Sequence, residues 1–129
     1  MNTAEAKYLK INFNEILKRL RTYARRKAKE HNIKMIVLVG SLAKGTYTGT
    51  SDADILIVAD DLPSKILDRH TIFADPEMPI DLEPHVYTTE EFLKMLGRGD
   101  RFTIESLKHG IPLHGKRFFN KLREPTVKK

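Results

Sequence analysis

The 129-residue chain has no cysteine, no tryptophan, no glutamine and no long apolar run. The absence of cysteine excludes disulfides, thiolate zinc sites and a cysteine nucleophile. The longest apolar runs are only five residues, so the sequence predicts no transmembrane helix. The first residues also lack the apolar core of a signal peptide, and we therefore expect a cytoplasmic protein with no membrane partner.

Charge is distributed unevenly along the chain, although its total is a modest +6. Residues 1–34 carry +7, residues 35–100 carry −7 and residues 101–129 carry +6. A net basic charge suggests a nucleic-acid partner. An acidic middle between basic ends instead indicates that the carboxylates of residues 35–100 are gathered for a function. The length supports one domain around one core.

Hydrophobic periodicity predicts an α/β (α+β) domain, with a small mixed sheet of about three to four strands flanked by helices. We expect the domain to span residues 1–115, and residues 116–129 to form a basic C-terminal extension with a frayed end. Asn12 or Asn14 is expected to cap the first helix and Ser64 the second. The expected helices cover 13–31, 64–73, 89–97 and 101–109, and the expected strands cover 34–39, 54–59, 80–88 and 111–113.

The segment Gly40 to Val58 begins directly after the first expected strand and ends within the second. Its sequence is GSLAKGTYTGTSDADILIV. Gly40 allows backbone N–H groups to approach a ligand closely, and Ser41 adds a hydroxyl donor. A helical turn starting after Ser41 would direct further N–H groups to the same point, which suits a phosphate. The segment is not a Walker A loop, because Gly45 is followed by Thr46 rather than by the required Lys.

Carboxylates cluster at the start of the second and third expected strands. Asp52 and Asp54 are two residues apart, so their side chains share one face of a strand. Their repulsion would be relieved by a cation between them. Asp81 lies on the polar face of the third strand, with Glu83 as the rival third ligand. Three carboxylates from neighbouring strands can hold two Mg²⁺ ions together with substrate phosphate.

These motifs resemble a known family. Gly40-Ser41, ten residues and then Asp52-Ala53-Asp54 match the G-S-x10-D-x-D signature of the nucleotidyltransferase superfamily with the polymerase-β-type fold. More narrowly, the segment is similar to the minimal nucleotidyltransferases (MNT) of bacteria and archaea. The later P-I-D-L of residues 79–82 resembles the third-carboxylate strand of that family, and H-G-I-P-L-H-G of residues 109–115 resembles the end of its domain.

The resemblance implies roles for individual residues. The implied nucleotide-binding residues are Gly40, Ser41, Lys44 and Ser51, and the implied catalytic and metal-binding residues are Asp52, Asp54 and Asp81. Two Mg²⁺ ions would be the cofactor and ATP the substrate, and an acceptor hydroxyl would attack the α-phosphorus with release of pyrophosphate. Ser51 would either orient Asp52 or cap a turn. Tyr47 stands where the family usually has a small residue, and would narrow the pocket or stack on a base.

The resemblance also implies a partner. Minimal members are paired, as antitoxins, with a small helical HEPN protein, so we expect an enzyme that transfers AMP to such a toxin. Assembly into a homo-oligomer and binding of RNA as an additional partner are further alternatives that the sequence allows. The alternative is a non-catalytic module that binds a partner or RNA and whose nucleotidyltransferase site is vestigial.

Overall fold

A computed structural model describes the backbone of residues 3–48 and 52–128, and the side chains of residues 13–48 and 52–124. The helices are α1 Thr3–Glu30, α2 Gly40–Lys44, α3 Ile66–Phe73, α4 Thr89–Gly97, α5 Arg101–His109 and α6 Lys116–Lys128. The strands are β1 Ile33–Val39, β2 Ala53–Ala59, β3 Leu82–Tyr87 and β4 Ile111–His114. Over the part of the chain that the structure describes, no helix has the length and apolarity needed to cross a membrane.

The four strands form one mixed sheet, in the order β3-β2-β1-β4. β1 pairs antiparallel with β2 and β4, whereas β2 and β3 are parallel. The predicted mixed sheet flanked by helices is therefore confirmed. β3 is an edge strand, and it contains Pro84, a residue that sheets tolerate at their edges because it has no N–H to donate.

Helices cover both faces of the sheet. Ile55 and Ile57 of β2 pack in the core cluster that contains the buried side chains of α1 and Phe73 of α3. Leu56 and Val58, on the opposite face, pack with buried residues of α4, α5 and α6. Because side chains alternate along a strand, Asp52 and Asp54 belong to the same face as Leu56 and Val58. The acidic pair therefore lies at the end of the face covered by α4 to α6.

Three element boundaries differ from the prediction by two or more residues, and the other boundaries of the predicted elements agree within one residue. α1 begins at Thr3, so the expectation that Asn12 or Asn14 caps it is wrong; the preceding residues are mostly good helix formers, and the helix continues through both asparagines. α3 begins at Ile66, and its N-cap is Lys65 rather than Ser64. β3 begins at Leu82 rather than at residue 80.

The C-terminal residues belong to the second layer of the fold. Residues 116–128, expected as a basic extension, form α6, and Phe119 is 1% exposed within the same core cluster as Leu56. α5 has the bounds that the sequence predicts, because Asp100 caps its first turn through Thr103 and Gly110 follows its last residue. α5 forms the wall that faces the acidic end of β2, and α6 packs beside it in the same core cluster.

Candidate active site

The turn after β1 brings the backbone directly against an acidic side chain. Gly40 has φ of +72°, a conformation that side-chain-bearing residues rarely adopt. A Cβ at this position would lie 2.5 Å from Oδ2 of Asp54. Asp54 is the cross-strand partner of Val39, the last residue of β1. Only glycine therefore allows the turn and this carboxylate to occupy their observed positions.

The short helix after this turn has uncapped N–H groups at its beginning. Its N-cap is Val39, which has no side-chain oxygen and makes no side-chain capping bond. Ser41 is half-buried in the first turn, and its carbonyl accepts a bond from the N–H of Thr46 at 3.0 Å. The N–H groups at the start of a helix favour anions, so this end of α2 suits a phosphate beside Asp54.

The predicted carboxylates share one face at the start of β2 and β3. Asp54 is paired in register with Glu83 of the neighbouring parallel strand. Asp52 and Asp81 each lie one residue before their strands, and the Asp81 carbonyl accepts the N–H of Ala53 at 2.8 Å. Asp52, Asp81 and Glu83 are exposed, whereas the Asp54 side chain is 33% exposed. The register gives Glu83 the position directly beside Asp54 and gives Asp81 the position beside Asp52.

The donor set fits a hard divalent cation that also binds phosphate. Within residues 13–48 and 52–124, no three His, Asp or Glu side chains are grouped closely enough to hold a metal ion by themselves. Mg²⁺ does not require such a cage, because it commonly binds one or two carboxylates together with substrate phosphates and water. Asp52 and Asp54 supply two carboxylates on one face, next to the phosphate-type turn. These residues fit Mg²⁺ delivered with a nucleotide.

A histidine that the sequence analysis did not select contacts the central carboxylate. Nε2 of His85, on β3, lies 3.1 Å from Oδ1 of Asp54. The imidazole packs against the Phe102 ring of α5, with 4.9 Å between ring centroids. The strand pattern places His85 on the polar face of β3, two residues after Glu83. Its contact with Asp54 depends on the strand register, which the sequence does not reveal.

A cavity of about 440 Å³ opens beside this cluster, and Gly40, Lys44, Asp54 and His85 line it. The opposite wall is one face of α5, formed by Arg101, Phe102, Glu105, Ser106 and His109. Lys44 Nζ lies 3.2 Å from Oε2 of Glu105, and this contact lowers the pKa of the Glu105 carboxyl group. Lys44, a predicted nucleotide-binding residue, is thus at the cavity and is held there by α5. The α5 residues were missed because only the packing of α5 on the sheet reveals which face lines the cavity.

Two further expectations concern the segment between α2 and β2. Tyr47 is stacked on Phe13 of α1, with centroids 5.8 Å apart and planes within 5° of parallel. Its ring therefore packs against α1, and Tyr47 is not among the residues that line the cavity beside Gly40. That Tyr47 narrows the pocket or stacks on a base stays a prediction. Ser51, the remaining predicted nucleotide-binding residue, lies outside the described residues.

A second cavity, of about 520 Å³, lies at the outer edge of β3 between α3 and α4. Glu83 and His85 line it together with Arg69 and Glu91. Arg69, whose side chain is 8% exposed, donates to both carboxylate oxygens of Glu91, at 2.7 and 3.3 Å. The guanidinium group lowers the pKa of the Glu91 carboxyl group. The two cavities meet at His85, which lines both.

Residues 17–111 match the family model described as the nucleotidyltransferase domain. The chain belongs to this nucleotidyltransferase family. The matched range contains the Gly40 turn, the carboxylates of β2 and β3 and the cavity wall of α5.

Individual relatives agree with this assignment. A Methanocaldococcus jannaschii protein, provisionally named a protein adenylyltransferase, is 45% identical over 40 residues, which are 31% of this chain and 27% of the relative. The likeness thus spans about a quarter of that relative's length.

Solved structures show the same nucleotidyltransferase fold. A provisionally named nucleotidyltransferase from Sulfolobus solfataricus is 23% identical, with a TM-score of 0.54 over 84% of this chain and 85% of its own. A toxin–antitoxin crystal structure with AMP-PNP contains a chain that is 17% identical, with a TM-score of 0.57 over 84% of both chains. At these identities, the likeness concerns the fold.

Proposed function

We propose that this nucleotidyltransferase transfers AMP from ATP to a hydroxyl group of a partner protein, with Mg²⁺ as cofactor and release of pyrophosphate. The observation that carries the proposal is the direct approach of Gly40 to Asp54, which joins a phosphate-type turn to an acidic strand. The match to the family supports nucleotide chemistry. The likeness to a provisionally named protein adenylyltransferase supports AMP as the transferred group and a protein as the acceptor.

In this proposal the nucleotide lies in the cavity beside Gly40. Backbone N–H groups of Gly40 and Ser41 bind its phosphates, with Lys44 as a nearby cation and Ser51 as a further contact. Asp52 and Asp54 hold Mg²⁺, and either Asp81 or Glu83 completes the acidic set. When bound by these residues, Mg²⁺ would supply neutralisation of the phosphate charge and a lower pKa of the attacking hydroxyl.

The reaction balances as a single displacement. The acceptor oxygen forms a bond to the α-phosphorus, the bond from that phosphorus to the bridging oxygen breaks, and pyrophosphate leaves. The hydroxyl proton passes to the carboxylate of Asp81 or Glu83. The protein contributes mainly positioning and charge, as in phosphoryl transfer generally.

We further propose that the acceptor is a small helical HEPN-type toxin and that this chain is its antitoxin. The resemblance of the Gly40 to Asp54 segment to minimal nucleotidyltransferases supports this pairing. The likeness in fold to a chain of a toxin–antitoxin complex solved with AMP-PNP also supports it.

The proposal is tested by incubating the chain with α-³²P-labelled ATP, Mg²⁺ and the protein product of the neighbouring gene. We expect label on the partner and one pyrophosphate released per label. Asp52→Asn and Asp54→Asn should each lower the transfer rate by about 10³-fold, because several kcal/mol of charge stabilisation is lost. Asp68→Asn, an exposed carboxylate on α3 outside both cavities, is the matched control and should transfer at the normal rate.

The same variants separate the proposal from its alternative. If the wild-type chain transfers no label, and Asp52→Asn neutralises the toxin as well as the wild type, the chain is a non-catalytic binding module. If label reaches RNA but not the partner, the acceptor part of the proposal is wrong. Phosphate release in place of pyrophosphate release would contradict the displacement itself.

A further inference from the structure

Asp54 is constrained at both carboxylate oxygens. Oδ2 faces Gly40, where a Cβ would approach to 2.5 Å, and Oδ1 lies 3.1 Å from Nε2 of His85. An ionised carboxylate can only accept hydrogen bonds, so the Nε2–H group of His85 is the donor and Oδ1 of Asp54 is the acceptor. Each carboxylate oxygen has two lone pairs, and one bond from His85 therefore leaves lone pairs for a metal.

The imidazole is itself held by its neighbours. The ring lies 4.9 Å from Phe102, which in turn lies 6.4 Å from the Tyr87 ring on the same strand. The His85 side chain is 29% exposed, which is less than expected for a freely moving surface histidine. This aromatic group fixes the plane of the ring and therefore the direction of its N–H group.

Asp54 would experience repulsion without this donor. It is paired in register with Glu83 and lies two residues from Asp52, both of which are exposed carboxylates. The nearby ammonium group of Lys44 is already in contact with Glu105. A fixed N–H group at Oδ1 offsets the repulsion in one orientation of the Asp54 carboxylate.

We propose that His85 is a positioning residue, which holds Asp54 in the orientation that binds the metal of a metal–nucleotide complex. This inference rests on the proposed function, since it assigns His85 a role toward the Mg²⁺ that Asp54 would hold. Partners that orient a metal ligand in this way are typically worth 10–100-fold in metal affinity or activity.

Two substitutions separate the N–H donor from the aromatic ring. His85→Phe keeps a ring against Phe102 but has no donor, whereas His85→Gln loses the ring but carries an amide N–H at a similar reach. His114→Phe is the matched control, because His114 is a half-buried strand histidine on β4, at the opposite edge of the sheet. Thermal unfolding of each variant establishes that it is folded.

The readout is calorimetric binding of α,β-methylene-ATP, first with Mn²⁺ and then with EDTA. We expect His85→Phe to weaken binding of the Mn²⁺ complex by about 10-fold or more, and to leave binding in EDTA unchanged. His85→Gln should be within about 3-fold of the wild type, and His114→Phe should match it. In turnover, His85→Phe should require correspondingly more metal for half-maximal rate.

Several results would overturn the inference. Equal Mn²⁺-nucleotide affinity in wild type and His85→Phe would show that Asp54 needs no such donor. Equal losses in the Phe and Gln variants would assign the effect to the ring rather than to its N–H group. If the wild type binds nucleotide equally well with Mn²⁺ and with EDTA, the proposed function fails together with this inference.

Discussion

Two polar clusters border β3, and they differ in how their charges are satisfied. On the outer edge, Arg69 donates to Glu91, to the Pro63 carbonyl at 2.7 Å and to the Val86 carbonyl at 3.4 Å. At the start of β2 and β3, four carboxylates share one face. Among the described side chains, His85 is the one that donates a hydrogen bond to Asp54. The charges of the first cluster are paired within the protein, whereas in the proposed function the second cluster is completed by Mg²⁺ and the nucleotide phosphates.

The difference follows from what each cluster joins. Arg69 is on α3, which packs on one face of the sheet, and Glu91 is on α4, which packs on the other. Their contact closes the edge of the sheet, so it contributes to stability whether or not a ligand is bound. The carboxylates at the start of β2 repel one another, which costs stability, and the proposed function gives them their role as metal ligands. Substitutions in the two clusters should therefore change different measurements.

Among the substitutions that test this comparison, the largest expected effect is that of Gly40→Ala, measured against Gly45→Ala. Both glycines have positive φ, of 72° and 78°, so both variants should lose about 1–2 kcal/mol of unfolding free energy. A Cβ at Gly40 meets Asp54, but a Cβ at Gly45 has no atom within 4 Å. We expect AMP transfer to fall by about 100-fold only in Gly40→Ala, because a misplaced reacting group costs this much.

The AMP-transfer rates of both variants, and their unfolding free energies measured by chemical denaturation, test this prediction. Equal activity in Gly40→Ala and Gly45→Ala would show that the approach of Gly40 to Asp54 is not used in catalysis. The AMP-transfer step would then have to be assigned to a different part of the cavity.

The next effect is on stability. Arg69→Met removes the guanidinium group that donates to the Pro63 and Val86 carbonyls and to the Glu91 carboxylate, and should lower the unfolding free energy by about 2–3 kcal/mol. Arg26→Met is the matched control: Arg26 lies 3.0 Å from Asp75, but its side chain is 52% exposed, so the loss should be below about 1 kcal/mol. Denaturant unfolding measures both variants. Similar losses in the two, or a loss of transfer activity in folded Arg69→Met, would contradict the division between the clusters.

The smallest effect is a dependence on pH. The pKa of Glu91 is lowered in the folded state, so ionised Glu91 stabilises the protein above its unfolded pKa, and this contribution is lost as pH falls through the folded pKa. The unfolding free energies of wild type and Glu91→Gln should therefore differ most near neutral pH, and they should converge as pH falls below the unfolded pKa and through the lower folded pKa. The difference should stay below about 1 kcal/mol, because the Glu91 side chain is 45% exposed. A difference that does not change between pH 7 and pH 3 would contradict this explanation.

Local signals in the sequence predicted the elements more accurately than the contacts between them. Asp100 and Gly110 define the two ends of α5, because capping depends on neighbouring residues. The start of α1 was missed, since asparagine is compatible both with a cap and with the interior of a long helix. The third strand was predicted to begin at residue 80, because polar and apolar residues alternate from there, whereas β3 begins at Leu82.

The site shows the same limit. The types and spacing of Gly40, Asp52 and Asp54 were sufficient to predict a phosphate turn beside an acidic strand. The position of Glu83 beside Asp54 and the contact of His85 depend on the register of parallel strands, whose connection includes α3. The cavity face of α5 depends on how that helix packs. No local pattern encodes these long-range relations.

The antiparallel pairing of β1 with β2 has a consequence for the assembly of the site. Residues 33–59 contain both the Gly40 turn and the Asp52–Asp54 pair, and the two strands that hold them are neighbours in sequence and in space. Contacts between segments close in sequence form quickly during folding. The Gly40 turn and the two carboxylates therefore meet through contacts close in sequence, whereas the contact of His85 with Asp54 requires the more distant β3.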